Sequence, residues 1–218
     1  MAKNQSTEDY IKGIYKLRHE GKAVTTSDLA RHLKIGDGSV TNMIKKLSTK
    51  RLVEYTPYRG VSLTVSGERL ALKIVRRHRL WEMFLVKYLG YKWNEIHDEA
   101  ERLEHVTSEE MEERLDRSLG YPKVDPHGDP IPGKDGEMQG IRDRPLSSFD
   151  EGDVVRIVRV SDDDPNILQH ASEIGLVLKM KLAVMKKRNF DGSMMVRVGS
   201  RNHYLSKDVA RSIFVKRG

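Results

Sequence analysis

The chain has 218 residues, with 39 Lys/Arg against 32 Asp/Glu, a formal net charge of +7 and no cysteine. Without cysteine there is no disulfide framework, no thiolate zinc site and no thiol nucleophile, so any bound metal is held by oxygen and nitrogen donors. The opening MAKNQSTEDY has no apolar signal region, and no run approaches the ~18 apolar residues of a membrane span, which predicts a cytoplasmic protein with no membrane partner. Residues 1–70 carry 13 Lys/Arg against 7 Asp/Glu, residues 71–140 carry 11 against 15, and residues 141–218 carry 15 against 10. A basic first segment suits a polyanion and an acidic middle suits a cation.

In TEDYIKGIYKLRHE, residues 7–20, Tyr10, Ile11, Ile14, Tyr15 and Leu17 recur at helical spacing, which predicts a first helix with Thr7 as its N-cap. A second helix is predicted from Thr26 or Ser27, with Leu29, Ala30 and Leu33 facing inward and Gly36 ending it. After IGDG, a third carries Val40, Met43, Ile44 and Leu47 on its apolar stripe. Two short helices joined by a tight Gly-containing turn fit helix-turn-helix spacing as well as a generic helical hairpin. LVEYTPYRGVSLTVSG then reads as strand, turn, strand, with Tyr58, Arg59 and Gly60 at the tip, and this favours a winged helix. Ser39, Thr41, Asn42, Lys45 and Lys46 lie off the apolar stripe and supply hydroxyl, amide and ammonium groups suited to base edges and phosphates; Arg59 joins them from the wing.

A long helix is predicted from Ser66-Gly67-Glu68 to the break at Gly90. It has more apolar residues than a small core needs, so Trp81, Phe84 and Leu85 fit a dimer contact as well as the core. Another helix begins at Asn94 or His97 and runs to about His105, and a third follows with Ser108 as N-cap and Gly120 after its end. His78 and Glu82 are four residues apart, as are His97 and Glu101, and Glu101, Glu104 and His105 follow at i, i+3 and i+4. Each set shares one helix face, and imidazole with carboxylate on converging helices reads as a divalent-metal site rather than a solvated face.

Residues 121–145 hold five of the seven prolines and four glycines, which predicts loop and linker. His127 and Asp129 could bind metal there, but turn chemistry is the better explanation. From Leu146 the pattern changes to short strands at DVVRIVRV, KLAVMKK, MMVRVGS, HYL and RSIFVKR. NFDGS is a hairpin turn and NILQHASEIG a helical turn or two. A small SH3-type barrel follows. The fold class is therefore mainly α with small β: a winged helix-turn-helix at 1–68, a helical metal-binding and dimerisation domain at 69–140, a linker at 141–149, and the barrel at 150–218. No catalytic triad, phosphate loop or nucleotide fingerprint is present, and no small organic ligand is implied.

A winged helix followed by HRLWE, HDEAERLEH, VDPHGDPIP and a small barrel closely resembles the diphtheria toxin repressor family of iron- and manganese-dependent repressors, over essentially the whole chain. The resemblance implies a homodimer that, with metal bound, represses metal-uptake genes by binding palindromic operators in double-stranded DNA. It implies a primary metal site of Asp9, Glu101, Glu104 and His105, and a second site whose helical donors are His78, Glu82 and His97. Iron-type members have Met and Cys at the positions of Asp9 and Glu101, whereas manganese regulators have carboxylates. This chain has carboxylates, which suit Mn(II) first and Fe(II) second. The departure is Lys12, where manganese regulators with a closely spaced metal pair carry Glu. In iron-type members the barrel also donates to the second site, and SDDDPN offers Asp162 or Asp164, or is simply a solvated acidic turn. The alternatives are an iron-dependent regulator of the same family, a carboxylate-bridged metalloenzyme, and a constitutive DNA-binding protein whose His and Glu are structural.

Overall fold

In the computed structural model all residues are described except Met1, residues 19–22, Asn94, Gln139, residues 141–142 and Gly218, with the side chains of Ala2–Gln5 also left out. The end of the predicted first helix at 19–20 and the start of another at Asn94 lie outside the described residues. The chain forms two compact units: Met1–Trp81 with Glu99–Gly120 and Ile131–Met138, and Glu82–Asp98 with Tyr121–Pro130 and Gln139–Gly218.

The first unit holds α1 (Ala2–Leu17), α2 (Thr26–Leu33), α3 (Asp37–Thr49), the hairpin β1 (Val53–Thr56) and β2 (Gly60–Leu63), the start of α4 (Val65–Leu89), most of α5 (His97–Glu104) and α6 (Glu109–Leu119). Thr7 lies inside α1 and is not its cap, because the helix already begins at Ala2. Thr25 caps α2 by accepting from Asp28 N, and Lys34 closes it in a left-handed conformation. Gly36 therefore does not end α2; it is the N-cap of α3. β1 and β2 pair antiparallel from Val53↔Leu63 to Thr56↔Gly60, and Val24 bridges Val61. Tyr58, at φ +65°, stands fully exposed at the wing tip. Ile11, Ile14, Leu29, Val40, Ile44, Leu47, Val53, Val61 and Ile74 form one core; a fully buried side chain of this kind contributes about 1.5–3 kcal/mol. α1 is thus held through Ile11 and Ile14 to the helix-turn-helix.

Ser108 accepts from Met111 N at the start of α6, and Gly120, at φ +79°, ends it. Buried Arg76 of α4 ties α6 in place: Nε donates to Glu112 Oε1 at 2.9 Å, Nη2 to Asp116 Oδ2 at 2.5 Å, and Nη1 to the Pro132 carbonyl at 2.7 Å. Trp81 Nε1 donates to Thr107 Oγ1 at 2.7 Å.

The second unit contains an SH3-like barrel of β3 (Arg144–Pro145), β4 (Val154–Val160), β5 (Lys181–Lys187), β6 (Met194–Val198), β7 (Arg201–Leu205) and β8 (Ile213–Arg217) in the antiparallel order β3-β8-β4-β5-β6-β7. Register shifts between Ile157 and Arg159 and between Val184 and Lys186 curve the sheet. Val155, Ile157, Leu182, Val184, Val196 and Val215 alternate inward, and α7 (Pro165–Glu173) and α8 (Lys207–Ser212) cover the core with Leu168, Ala171, Val209 and Ala210. Of the three residues read as fitting either the core or a dimer contact, Leu85 is buried, whereas Trp81 and Phe84 are half-buried.

Within the Pro/Gly segment, which is loop as its composition suggests, residues 124–130 form a closed turn. Asp125 N donates to the Asp129 carbonyl, and Asp125 Oδ1 accepts from the backbone N–H groups of His127 and Asp129 at 2.8 and 2.9 Å. Gly128 has φ +93°, and a Cβ there would lie 2.1 Å from the Val158 carbonyl oxygen of β4. Asp125, His127 and Asp129 are buried. Local side-chain-to-backbone bonds supply the order that composition hides.

Candidate metal centres and nucleic-acid face

In the first unit, α5 places Glu101 and Glu104 one turn apart, and His105 follows directly after its end. α1 brings Asp9 to them across some ninety residues of sequence. His105 Nε2 lies 2.9 Å from Asp9 Oδ1 and 3.4 Å from Glu104 Oε1. Asp9, Glu101 and His105 each offer a donor atom, all within 4.8 Å of one another. Glu8 completes the arrangement, with Oε2 2.7 Å from His105 Nδ1; a carboxylate on one imidazole nitrogen orients the other. Nothing in the helical pattern distinguished Glu8 from an ordinary surface residue.

Burial acts most strongly against a charged His105, but interactions with Asp9 and Glu8 and the charges of Glu104 and Asp9 together outweigh it, raising its pKa to about 10. In the metal-free chain the ring is therefore an imidazolium standing among carboxylates. Its buried Nε2 has no well-aligned hydrogen bond among the described residues. Two carboxylates and one imidazole so arranged fit a hard divalent ion, and the chain has no cysteine thiolate to compete.

Glu104 and His78 form an adjoining group with Glu101, again with donor atoms within 4.8 Å. His78 Nδ1 is 2.5 Å from Glu104 Oε2. Lys12, on α1 one turn after Asp9, directs its ammonium at both carboxylates.

The second unit holds a further cluster. Glu82, Asp125 and His127, all buried, offer donor atoms within 4.8 Å of one another. His127 stacks on Trp93 with centroids 5.4 Å apart, and its Nε2 lies 3.1 Å from the Trp93 carbonyl oxygen. With Nε2–H donating there, Nδ1 is the nitrogen turned to the carboxylates, and it is buried with no hydrogen-bond partner among the described residues. A nitrogen so placed is available to a metal ion. His97 Nδ1 lies 3.7 Å from Glu82 Oε1 and 4.0 Å from Asp162 Oδ2. Asp162 is thus drawn toward this cluster. Asp164 is not: it is exposed, and its carboxylate accepts from Asn166 N as the N-cap of α7. His78 stands one turn before Glu82 on α4. Sequence reasoning named Glu82, His97 and Asp162 but set His127 aside and missed Asp125, because turn chemistry and ligation draw on the same residue types.

On α3, Ser39, Asn42, Lys45 and Lys46 are exposed, as is Arg59 at the wing, while Val40, Ile44 and Leu47 are fully buried on the opposite side. Thr41 is half-buried, and its hydroxyl donates to the Asp37 carbonyl at 3.1 Å, leaving only its oxygen lone pairs for a partner. Among the described residues no helix is long and apolar enough to cross a membrane.

Three family sequence models match the chain: an iron dependent repressor N-terminal DNA binding domain at residues 4–61, an iron dependent repressor metal binding and dimerisation domain at 64–133, and a FeoA domain at 144–217. The iron-dependent repressor IdeR of Mycobacterium tuberculosis is 31% identical over 183 residues, spanning 81% of this chain and 78% of its own length. The diphtheria toxin repressor of Corynebacterium jeikeium is 34% identical over 164 residues, 73% of this chain and 68% of its own. The solved structure of a manganese-dependent transcriptional repressor in complex with manganese is 39% identical, with a TM-score of 0.90, covering 97% of this chain and all of the other.

Proposed function

From the premise that this chain belongs to the diphtheria toxin repressor family, and so is a metal-dependent DNA-binding transcriptional repressor and not an enzyme, we propose that Mn(II) is its activating ion, with Fe(II) second, and that Asp9, Glu101, Glu104 and His105 are the switch. The observation that carries this is the position of Asp9, on α1, beside His105 at the end of α5. α1 also contributes Ile11 and Ile14 to the helix-turn-helix core. Holding Asp9 therefore holds the DNA-reading domain.

A divalent ion held by Asp9, Glu101, Glu104 and His105 would supply the charge that neutralises the clustered carboxylates, and the His105 proton would leave. With such an ion bound, Asp9 and His105 would both serve as its ligands, and Glu8 would keep the His105 ring oriented. Ser39, Thr41, Asn42, Lys45 and Lys46 then contact a palindromic operator, with Arg59 on the flanking backbone or minor groove. Two copies in a homodimer, joined through the surplus apolar surface of α4 around Trp81 and Phe84, place their recognition helices about 34 Å apart. Functionally the chain divides into a DNA-binding domain over 1–68, a metal-binding and dimerisation domain over 69–140, a linker at 141–149 and the barrel at 150–218. The second site comprises Glu82 and His97 with Asp125, His127 and Asp162. It steadies the structure more than it switches it. The protein works in the cytoplasm on genes of metal-ion homeostasis.

The test is a titration of DNA fragments, selected by the protein from a random pool with Mn(II) present, in Mn(II) and then in chelator. Affinity should fall by about 5- to 150-fold on chelation, the range of a coupling of 1–3 kcal/mol. Equal affinity in the two conditions excludes the switch.

A further inference from the structure

The ammonium of Lys12 sits where the adjoining donor group would hold a cation. Nζ donates to Glu101 Oε2 at 2.6 Å and to Glu104 Oε1 and Oε2 at 2.8 and 2.7 Å, and lies 3.2 Å from His78 Nδ1. Lys12 is 4% exposed and Glu104 is fully buried. Lysine at this depth is uncommon unless paired, and an isolated buried carboxylate is costly. Here three ammonium protons meet three carboxylate oxygens. The donor atoms of His78, Glu101 and Glu104 lie within 4.8 Å of one another, as do those of Asp9, Glu101 and His105, and the two groups share Glu101. By donor count the cluster could serve two small cations side by side.

We infer that Lys12 is a tethered cation occupying the second of these positions, so that the centre takes a single divalent ion at Asp9, Glu101 and His105. This rests on the reading of that group as the metal switch. An ion placed among His78, Glu101 and Glu104 would have to displace the ammonium from three oxygens or sit against it. Like charges at such a separation, in a site shielded from water, repel strongly. Lys12 is in this sense a specificity residue for ion number. It also keeps Glu101 and Glu104 apart from an uncompensated state while no metal is present.

Two variants and the wild type test this. Lys12→Met keeps an unbranched stem and removes the charge; Lys12→Glu replaces the cation with a donor. Manganese is counted by equilibrium dialysis with elemental analysis, and the bound ions are examined by low-temperature electron paramagnetic resonance. Each variant should bind one more Mn(II) per protomer than the wild type and show the signature of a spin-coupled manganese pair. The wild type should show uncoupled ions alone. Metal-free Lys12→Met should unfold at a lower temperature than the metal-free wild type and gain more from added Mn(II). Unchanged stoichiometry in folded variants overturns the inference, and so does a coupled pair in the wild type, which needs no variant to be seen. Failure of the switch reading looks different: wild-type DNA affinity would then ignore Mn(II), whatever the ion count.

Discussion

The two clusters use the same donor types and are built in opposite ways. In the first unit, Asp9, Glu101 and Glu104 lie on helices with His105 directly after α5, and the metal-free state is already populated by positive charge, the Lys12 ammonium and the His105 imidazolium. In the second, a helical Glu82 meets Asp125 and His127 from a Pro/Gly turn, and His127 Nδ1 is buried with no hydrogen-bond partner among the described residues. A centre with built-in cations would respond to metal by exchanging charges, and under the proposed function this exchange would link α1 to α5. A centre with a waiting imidazole simply gains an ion. The first has the construction of a switch and the second that of a clamp.

The contrast can be broken most forcefully at Asp9. Asp9→Ala should abolish the manganese enhancement of DNA affinity, a loss within the same ~5- to 150-fold range, while light scattering still reports the dimer. His127→Ala should leave most of that enhancement and instead shrink the rise in melting temperature on adding Mn(II). If His127→Ala removes the DNA response as completely as Asp9→Ala, the two centres do not differ in kind. Gly128→Ala comes next: a left-handed φ costs a residue with a side chain about 1–3 kcal/mol, and the new methyl would also meet the Val158 carbonyl. Chemical denaturation should show the loss, together with weakened manganese uptake by the second cluster. A wild-type-like midpoint would mean that the turn does not depend on its packing against β4.

The smallest expected effect concerns pH and sharpens the reading of the first cluster. His105 has a folded pKa of about 10 against an ordinary 6.5. A raised imidazole pKa stabilises the fold fully below the unfolded value and loses that contribution as pH rises through the folded one. Thermal stability of the chelated protein should therefore decline between about pH 6.5 and 10, and His105→Gln should flatten the decline. An identical slope in the variant would assign the effect to other groups.

How legible this was in the sequence depended on which interaction fixed each residue. Glu101, Glu104 and His105 declare a shared face through their spacing, and Ser108 and Gly120 mark the ends of α6 through their capping chemistry. Asp9 could be tied to them only by family resemblance, since periodicity carries no information about an approach between segments so far apart in the chain. Thr7 resembled a cap, but α1 continues through it. α8, six residues between two strands, is too short for its periodicity to emerge. Asp125 and His127 were hidden because proline and glycine signal disorder as readily as a tight, hydrogen-bonded turn, and only the close approach of Gly128 to β4 distinguishes the two.

Lys12 has a consequence for how the protein would read its surroundings. A centre needing two ions responds to the square of their concentration and changes state over a narrow range. With one position filled by the chain itself, each such centre depends on concentration to the first power. Its output is then graded, reporting how much metal is present and not merely whether a threshold has been crossed.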